Sequence, residues 1–130
     1  PGSVGFSFFA DIVGDETLLE GVLGVVDCNP ADDDREGVAA GRDAFVEENG
    51  YEPSYGAAQM YDAVHIVASI VNEARAADPE TIREGLESLD GHEGICATYS
   101  NDNNVLQHSS VVVRFEDGSL VTEKTYDDLS

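Results

Sequence analysis

The side chains able to do chemistry in this sequence are mostly carboxylates, 27 Asp plus Glu in 130 residues. Their most ordered spacing is Asp32-x-Asp34-x-Glu36-Gly37 with Asp43 at the twelfth position, a near-match to a calcium loop in which alternating oxygens wrap a hard cation. Glu at the fifth position and the short Asp at the twelfth depart from that pattern, and no amphipathic helix precedes it. A solvated helix N-terminus is the better reading. His65, His92 and His108 fall in neither an H-x-x-x-H nor an H-E-x-x-H frame, so they are expected at the surface and not on a metal. Cys28 and Cys96 form no C-x-x-C pair; they read as free core thiols, the favoured reading, or as one disulfide. No G-x-S-x-G elbow, P-loop or G-x-G-x-x-G occurs. The expectation is a chain with no cofactor, no metal and no motif of a hydrolase or nucleotide enzyme.

The aromatic residues are the remaining resource. Phe6, Phe8 and Phe9, and Tyr51, Tyr55 and Tyr61, are core residues by default or walls of a ligand cleft. Tyr55 is singled out because it begins a helix, where unpaired backbone N–H groups and the positive dipole end favour an anion such as a carboxylate.

Charge narrows the partners. Six Lys plus Arg leave a formal net charge of −21, and Lys124 is the single lysine. Self-repulsion on that scale is screened at molar salt, where the Debye length is roughly 3 Å, so the acidity reads as adaptation to high salt. It speaks against nucleic-acid phosphates, which need a basic face. Hydrophobic residues at 42% in periodic runs argue against disorder. No apolar run reaches the ~18 residues of a membrane-spanning helix. The chain begins at Pro1, so a processed protein, or a piece whose signals lie upstream, is expected.

The elements that must position these groups follow from periodicity. "FSFFADIV" (6–13) reads as a short apolar helix or turn, and "GVLGVV" (21–26) as a strand covered on both faces in a parallel or mixed sheet. A helix is expected from Arg35 to Gly50 and a longer one from Tyr55, capped by Ser54. In the latter, Ala57, Met60, Tyr61, Val64, Val67, Ala68 and Val71 form the apolar face, widened by Ala63, Ile66 and Ile70, and Gln59, Asp62, Ser69, Asn72 and Glu73 form the polar one. Asp78-Pro79-Glu80 starts a third helix that Gly91 closes. Strands follow at 95–100, at "SVVVRF" and at "SLVTEKTY", the last two joined by Asp117-Gly118, with Val111, Val113 and Phe115 on one face. This is an α/β chain ending in a β-hairpin.

In order, "GRDAFVEENGYEPSYGAAQMYDAVHIVASIVNEA", "DPETIREGLESLDGHEGICATYSNDNN" and the terminal hairpin resemble the C-terminal portion of the branched-chain amino acid binding proteins of ABC importers, the Leu/Ile/Val type of type 1 periplasmic receptor. The shared features are Gly50, Glu52-Pro53, Tyr55 to Ala63, Asp78-Pro79-Glu80 and Gly94 to Asn104, while "FFADIVGDETLLEGVLGVV" is similar to the family's run into a strand.

The resemblance implies a Rossmann-like layered sheet with flanking helices, part of a two-lobed receptor that closes on its ligand without catalysis. Residues 1–130 would be a C-terminal segment holding parts of both lobes. Its partners would be an amino acid or related small ligand and the membrane permease, with no nucleic acid, in an extracytoplasmic location with a signal or anchor upstream. The hydroxyls that hold the ligand's carboxylate would lie upstream, and the acid that meets its amine would fall near Gly2, where no carboxylate stands. The pocket aromatic at the start of the long helix matches Tyr55 or Gly56, because one extra residue separates Tyr55 from Tyr61. "SNDNN" replaces the usual Asp-x-x-Gly-Asp turn, so the resemblance implies no preference for Leu, Ile or Val over amides or aromatic acids. The alternative is a sensory or regulatory domain of the same fold, which should continue into a membrane helix or effector, whereas "TYDDLS" suits a natural end.

Overall fold

The structure is a computed structural model that describes residues 14–33 and 35–126. The apolar stretch expected to be helical at 6–13, with Phe6, Phe8 and Phe9, lies outside the described residues.

Strands β1 (Leu23–Val26), β5 (Ser110–Glu116) and β6 (Ser119–Tyr126) form a three-stranded antiparallel sheet in the order β1-β5-β6. Alternation along β5 sends Val111, Val113 and Phe115 inward, where they pack with Leu19 and Leu120. Asp117 (φ 50°) and Gly118 (φ 79°) both take left-handed backbone, as a two-residue primed turn requires. The sequence expectation for β1 needs correction. Among the described residues it is an antiparallel edge strand, and Leu23 and Val25 are 63% and 74% exposed. An unbroken apolar run records that both faces are apolar, but not that this chain covers both.

Helix α1 (Glu36–Asn49) ends where Gly50, at φ 76°, donates its N–H to the Val46 carbonyl. Gly41 weakens the helix on propensity, yet a Cβ there would collide with the Ile95 side chain, so close packing requires the glycine. Helix α2 (Tyr55–Ala74) is capped as expected, with Ala57 N donating to Ser54 Oγ at 3.1 Å. Helix α3 (Pro79–Glu87) is capped by Asp78, which accepts from Thr81 N at 3.1 Å. It closes at Ser88, three residues before Gly91, which serves a later left-handed turn.

The faces of α2 are only in part those that hydropathy suggests: Ile66 and Ile70 are buried as expected. Its buried residues are Ala58, Asp62, Ile66 and Ile70, spaced four apart. Met60, Tyr61 and Val64 of the expected apolar face are exposed, and Asp62 of the expected polar face is buried. Ile66 and Ile70 pack with Ala97 and Tyr99, and Leu86 and Leu89 close over them.

A second antiparallel sheet, β2 (His92–Glu93), β3 (Thr98–Asp102) and β4 (Val105–Gln107), sits against this core. The strand expected from residue 95 starts at Thr98, because 95–97 turn inward and are buried. Asn103 (φ 51°) and Asn104 (φ 64°) make the β3–β4 turn in left-handed backbone that Asn tolerates better than most residues.

Candidate ligand-binding site

The site is assembled around one buried carboxylate. Asp62 is 1% exposed and accepts three hydrogen bonds: Ile95 N to Oδ1 at 2.8 Å, Cys96 N to Oδ2 at 2.8 Å, and Tyr99 Oη to Oδ2 at 3.0 Å. A carboxylate can be buried when every oxygen is met by donors, and here two backbone groups and a phenol meet it. Burial, and then the neighbouring Asp62 charge, hold the Tyr99 phenol well above its usual range. Gly94 is needed beside this carboxylate, since a Cβ there would run into it. The loop 94–97 is thereby tied to the middle of α2.

The same loop is tied covalently to the end of β1. Cys28 and Cys96 form a disulfide, with Cα atoms 5.2 Å apart and both residues 2% exposed. This corrects the favoured expectation of free thiols. Sequence separation is uninformative here, because Asp62 draws the Cys96 backbone inward to where the strand delivers Cys28. Two further ties hold the junction, one at the strand end and one at the loop. Gln59 Nε2 donates to Asp27 Oδ2 at 2.6 Å, and Arg35 Nη2 donates to the Cys96 carbonyl at 3.2 Å. Arg35 also chelates Asp33; burial alone would raise that carboxyl's pKa, but the Arg35 hydrogen bonds outweigh it and hold the pKa low.

Tyr55 stands at the first turn of α2, seven residues before Asp62, half-buried against the cluster formed by Cys28, Ala58, Ile95 and Cys96. It lines a cavity of about 310 Å³ with Pro30, Asp32, Glu52, Pro53 and Leu120. The loop wall is held by Asn29, 6% exposed, whose Nδ2 donates to the Leu120 carbonyl at 3.0 Å and to Thr122 Oγ1 at 3.1 Å. It is also held by Asp32, whose Oδ2 accepts from Thr122 N at 2.7 Å. An aromatic ring, two prolines and a leucine offer apolar contact, and the two carboxylates suit an ammonium or a hydrogen-bond donor. Gly56 is not brought into this wall. It lines none of the described cavities, and the nearest atom to a Cβ placed there is Ser54 Oγ at 3.9 Å.

Two larger cavities flank the junction. One, of about 570 Å³, is bordered by Tyr61, Asp62, His65, His92 and Glu93; the other, of about 530 Å³, by Asn29, Asp33, Arg35, Cys96 and Thr122. His65 stacks on Tyr61 with ring centroids 4.0 Å apart. Among the described residues no group of three or more His, Cys, Asp or Glu could hold a metal. Of the calcium-loop residues, Asp32 is engaged with Thr122, and the nearby Asp33 with Arg35.

Sequence reasoning missed Asp62 and Asn29, and it placed the disulfide second to free thiols. A signal existed for the first: Asp62 lies four residues from both Ala58 and Ile66, on the stripe that Ile70 continues. For Asn29 no local pattern exists, since its partners are more than ninety residues away.

The mixed α/β arrangement matches the type 1 periplasmic binding protein fold. The chain belongs to the periplasmic binding protein family, which matches residues 6–119. Among solved structures it is similar to a leucine binding protein of Thermotoga maritima, with a TM-score of 0.79, 22% identity, and coverage of 92% of this chain and 34% of that one. It is also similar to a branched-chain amino acid ABC transporter periplasmic ligand-binding protein of Burkholderia xenovorans (TM-score 0.76, 15% identity, 89% and 33% covered). A third is a solute binding protein of an ABC transporter of Rhodopseudomonas palustris in complex with 3,4-dihydroxybenzoic acid (TM-score 0.73, 18% identity, 86% and 32% covered). The chain thus spans about one third of the length of the structures it matches. No curated protein matches it.

Proposed function

We propose that these 130 residues are a C-terminal segment, with pieces of both lobes, of the solute-binding component of an ABC importer. The receptor binds an amino acid or related small acid by lobe closure, without catalysis, and delivers it to a membrane permease. The observation that carries this reading is Tyr55, seated at a capped helix start in a walled cleft, in a chain of the periplasmic binding protein family. The ligand class is drawn from leucine-type and dihydroxybenzoate-type relatives alike. An extracytoplasmic location agrees with the disulfide, which persists in oxidising compartments. A net charge of −21 agrees with a high-salt habitat and with partners other than nucleic acid.

The test is calorimetric titration, in molar KCl, of the full-length receptor carrying this segment with leucine, isoleucine, valine and 3,4-dihydroxybenzoate. One of these should bind, Tyr55→Ala should weaken that ligand about tenfold or more, and Gly56→Ala should change it by less than about threefold. The 130-residue segment alone should bind poorly, because the other walls of the pocket lie elsewhere. Absence of binding to every ligand, or an unchanged affinity in Tyr55→Ala, would sink the reading.

A further inference from the structure

We infer that the Cys28–Cys96 disulfide is a positioning device for the ligand cleft: it sets the wall formed by residues 29–32 against the Tyr55 ring. The inference deepens the receptor reading and rests on it for the identity of the cleft. The structural argument is a closed circuit of contacts. Helix α2 carries both Tyr55 and Asp62, and Asp62 grips the backbone N–H groups of Ile95 and Cys96. Cys96 is bonded to Cys28, whose neighbours Asn29 to Asp32 form the cavity wall opposite Tyr55. The circuit closes on Tyr55 itself, which packs against the buried cluster that holds both half-cystines.

The alternative is a general staple that stabilises the fold and is indifferent to the cleft. The placement argues otherwise. The wall is a short 3-10 turn, Pro30–Asp32, too short to hold its place by its own hydrogen bonds. Its other anchors are Asn29 and Asp32, which reach to β6, and the Pro30 and Ala31 carbonyls, which accept from Arg42 Nη1 of α1 at 3.2 and 3.4 Å; none of these reaches α2. Among the described residues, the links between wall and helix are the disulfide, which reaches α2 through the Cys96–Asp62 hydrogen bond, the Gln59–Asp27 hydrogen bond one residue before it, and side-chain packing. Removing the disulfide therefore leaves the wall tied to the helix that presents the aromatic by one hydrogen bond and packing, while the wall stays attached to the hairpin and to α1. The distance across the cleft is what changes.

The experiment uses the full-length receptor and the variant Cys28→Ala/Cys96→Ala, studied in molar KCl well below the melting temperature. Two readouts are taken. Hydrogen exchange, which needs no ligand, should speed up about tenfold or more at residues 27–32 and 54–58 while residues 64–70 of the same helix stay protected. Calorimetry with the best ligand of the panel above should show about tenfold weaker binding, and in a Tyr55→Ala background the same change should cost less than about threefold. A fall in melting temperature with affinity and local exchange unchanged would overturn the inference, as would losses that simply multiply. If the double variant does not fold, Asn29→Ala keeps the disulfide and frees the other side of the wall. It should weaken binding in the same direction and non-additively with Tyr55→Ala; an unchanged affinity there overturns the proposal. If no ligand of the panel binds the wild type, the receptor reading fails, and the exchange comparison still decides whether the disulfide positions the wall.

Discussion

Both sides of α2 carry apolar residues, and they meet opposite fates. Ala58, Asp62, Ile66 and Ile70 are buried, whereas Met60 and Val64 are 68% and 67% exposed and Tyr61 and Val67 are partly open. The side that contains a carboxylate is the inner one. Burial here follows the availability of partners: three donors converge on Asp62 and repay its desolvation, while among the described residues no core cluster includes the outward valines. Hydropathy alone places Ile66 and Ile70 correctly but puts Asp62 outside and Met60 and Val64 inside.

The largest effect expected from breaking this asymmetry is at Asp62. Asp62→Ala leaves two backbone N–H groups and a phenol buried without their acceptor, at roughly 1–3 kcal/mol for each orphaned group and about 3–5 kcal/mol together. Urea unfolding in molar KCl measures it. A loss below about 1 kcal/mol would mean that the loop 94–97 is held by something other than this carboxylate.

Tyr99 gives a smaller effect with a pH signature. Burial, reinforced by the Asp62 charge, raises the folded-state pKa of its phenol above the ordinary 10.0. A raised folded-state value means that its contribution is intact below pH 10 and is lost as the pH climbs through and beyond that value. Tyr99→Phe should cost about 1–2 kcal/mol at neutral pH, the worth of a hydrogen bond to a charged group, and should flatten the alkaline fall in stability. Equal alkaline slopes for wild type and variant would separate Tyr99 from the junction.

What could be read in the sequence divides along the same line. Features encoded within a few residues were legible: the Ser54 and Asp78 caps, the left-handed Gly50, the Asp117-Gly118 hairpin and the inward alternation of Val111, Val113 and Phe115. The family was legible too, from the order of such features. Tyr55 lines a cavity and Gly56 lines none of those described above, a placement that does not by itself decide which of the two meets a ligand. What escaped depends on contacts across the chain. The donors to Asp62 lie 33 to 37 residues away, and the Asn29 acceptors 91 and 93. The disulfide joins Cys28 to a residue 68 positions on. The exposure of β1 escaped for the complementary reason: an apolar residue states a preference for cover without naming what supplies it.

The smallest expected effect tests the outward side of the comparison. Val64 is 67% exposed, so Val64→Ser in the 130-residue chain removes little buried surface and should change stability by no more than about 0.5 kcal/mol. Ile66, two residues on and 3% exposed, supplies the internal control, because Ile66→Ser removes a core side chain and should cost about 3 kcal/mol or more. The contrast is diagnostic because helix propensity treats the two changes almost alike, so a difference between them reports cover. The matched structures are about three times as long as this chain, and a full-length receptor offers further surface to pack on this side of α2. If it does, Val64→Ser should cost about 1–2 kcal/mol there, the transfer energy of a valine side chain newly buried, and the gap between Val64 and Ile66 should narrow. A Val64→Ser loss above 1 kcal/mol in the short chain that grows with protein concentration would instead mean that a second copy covers this face.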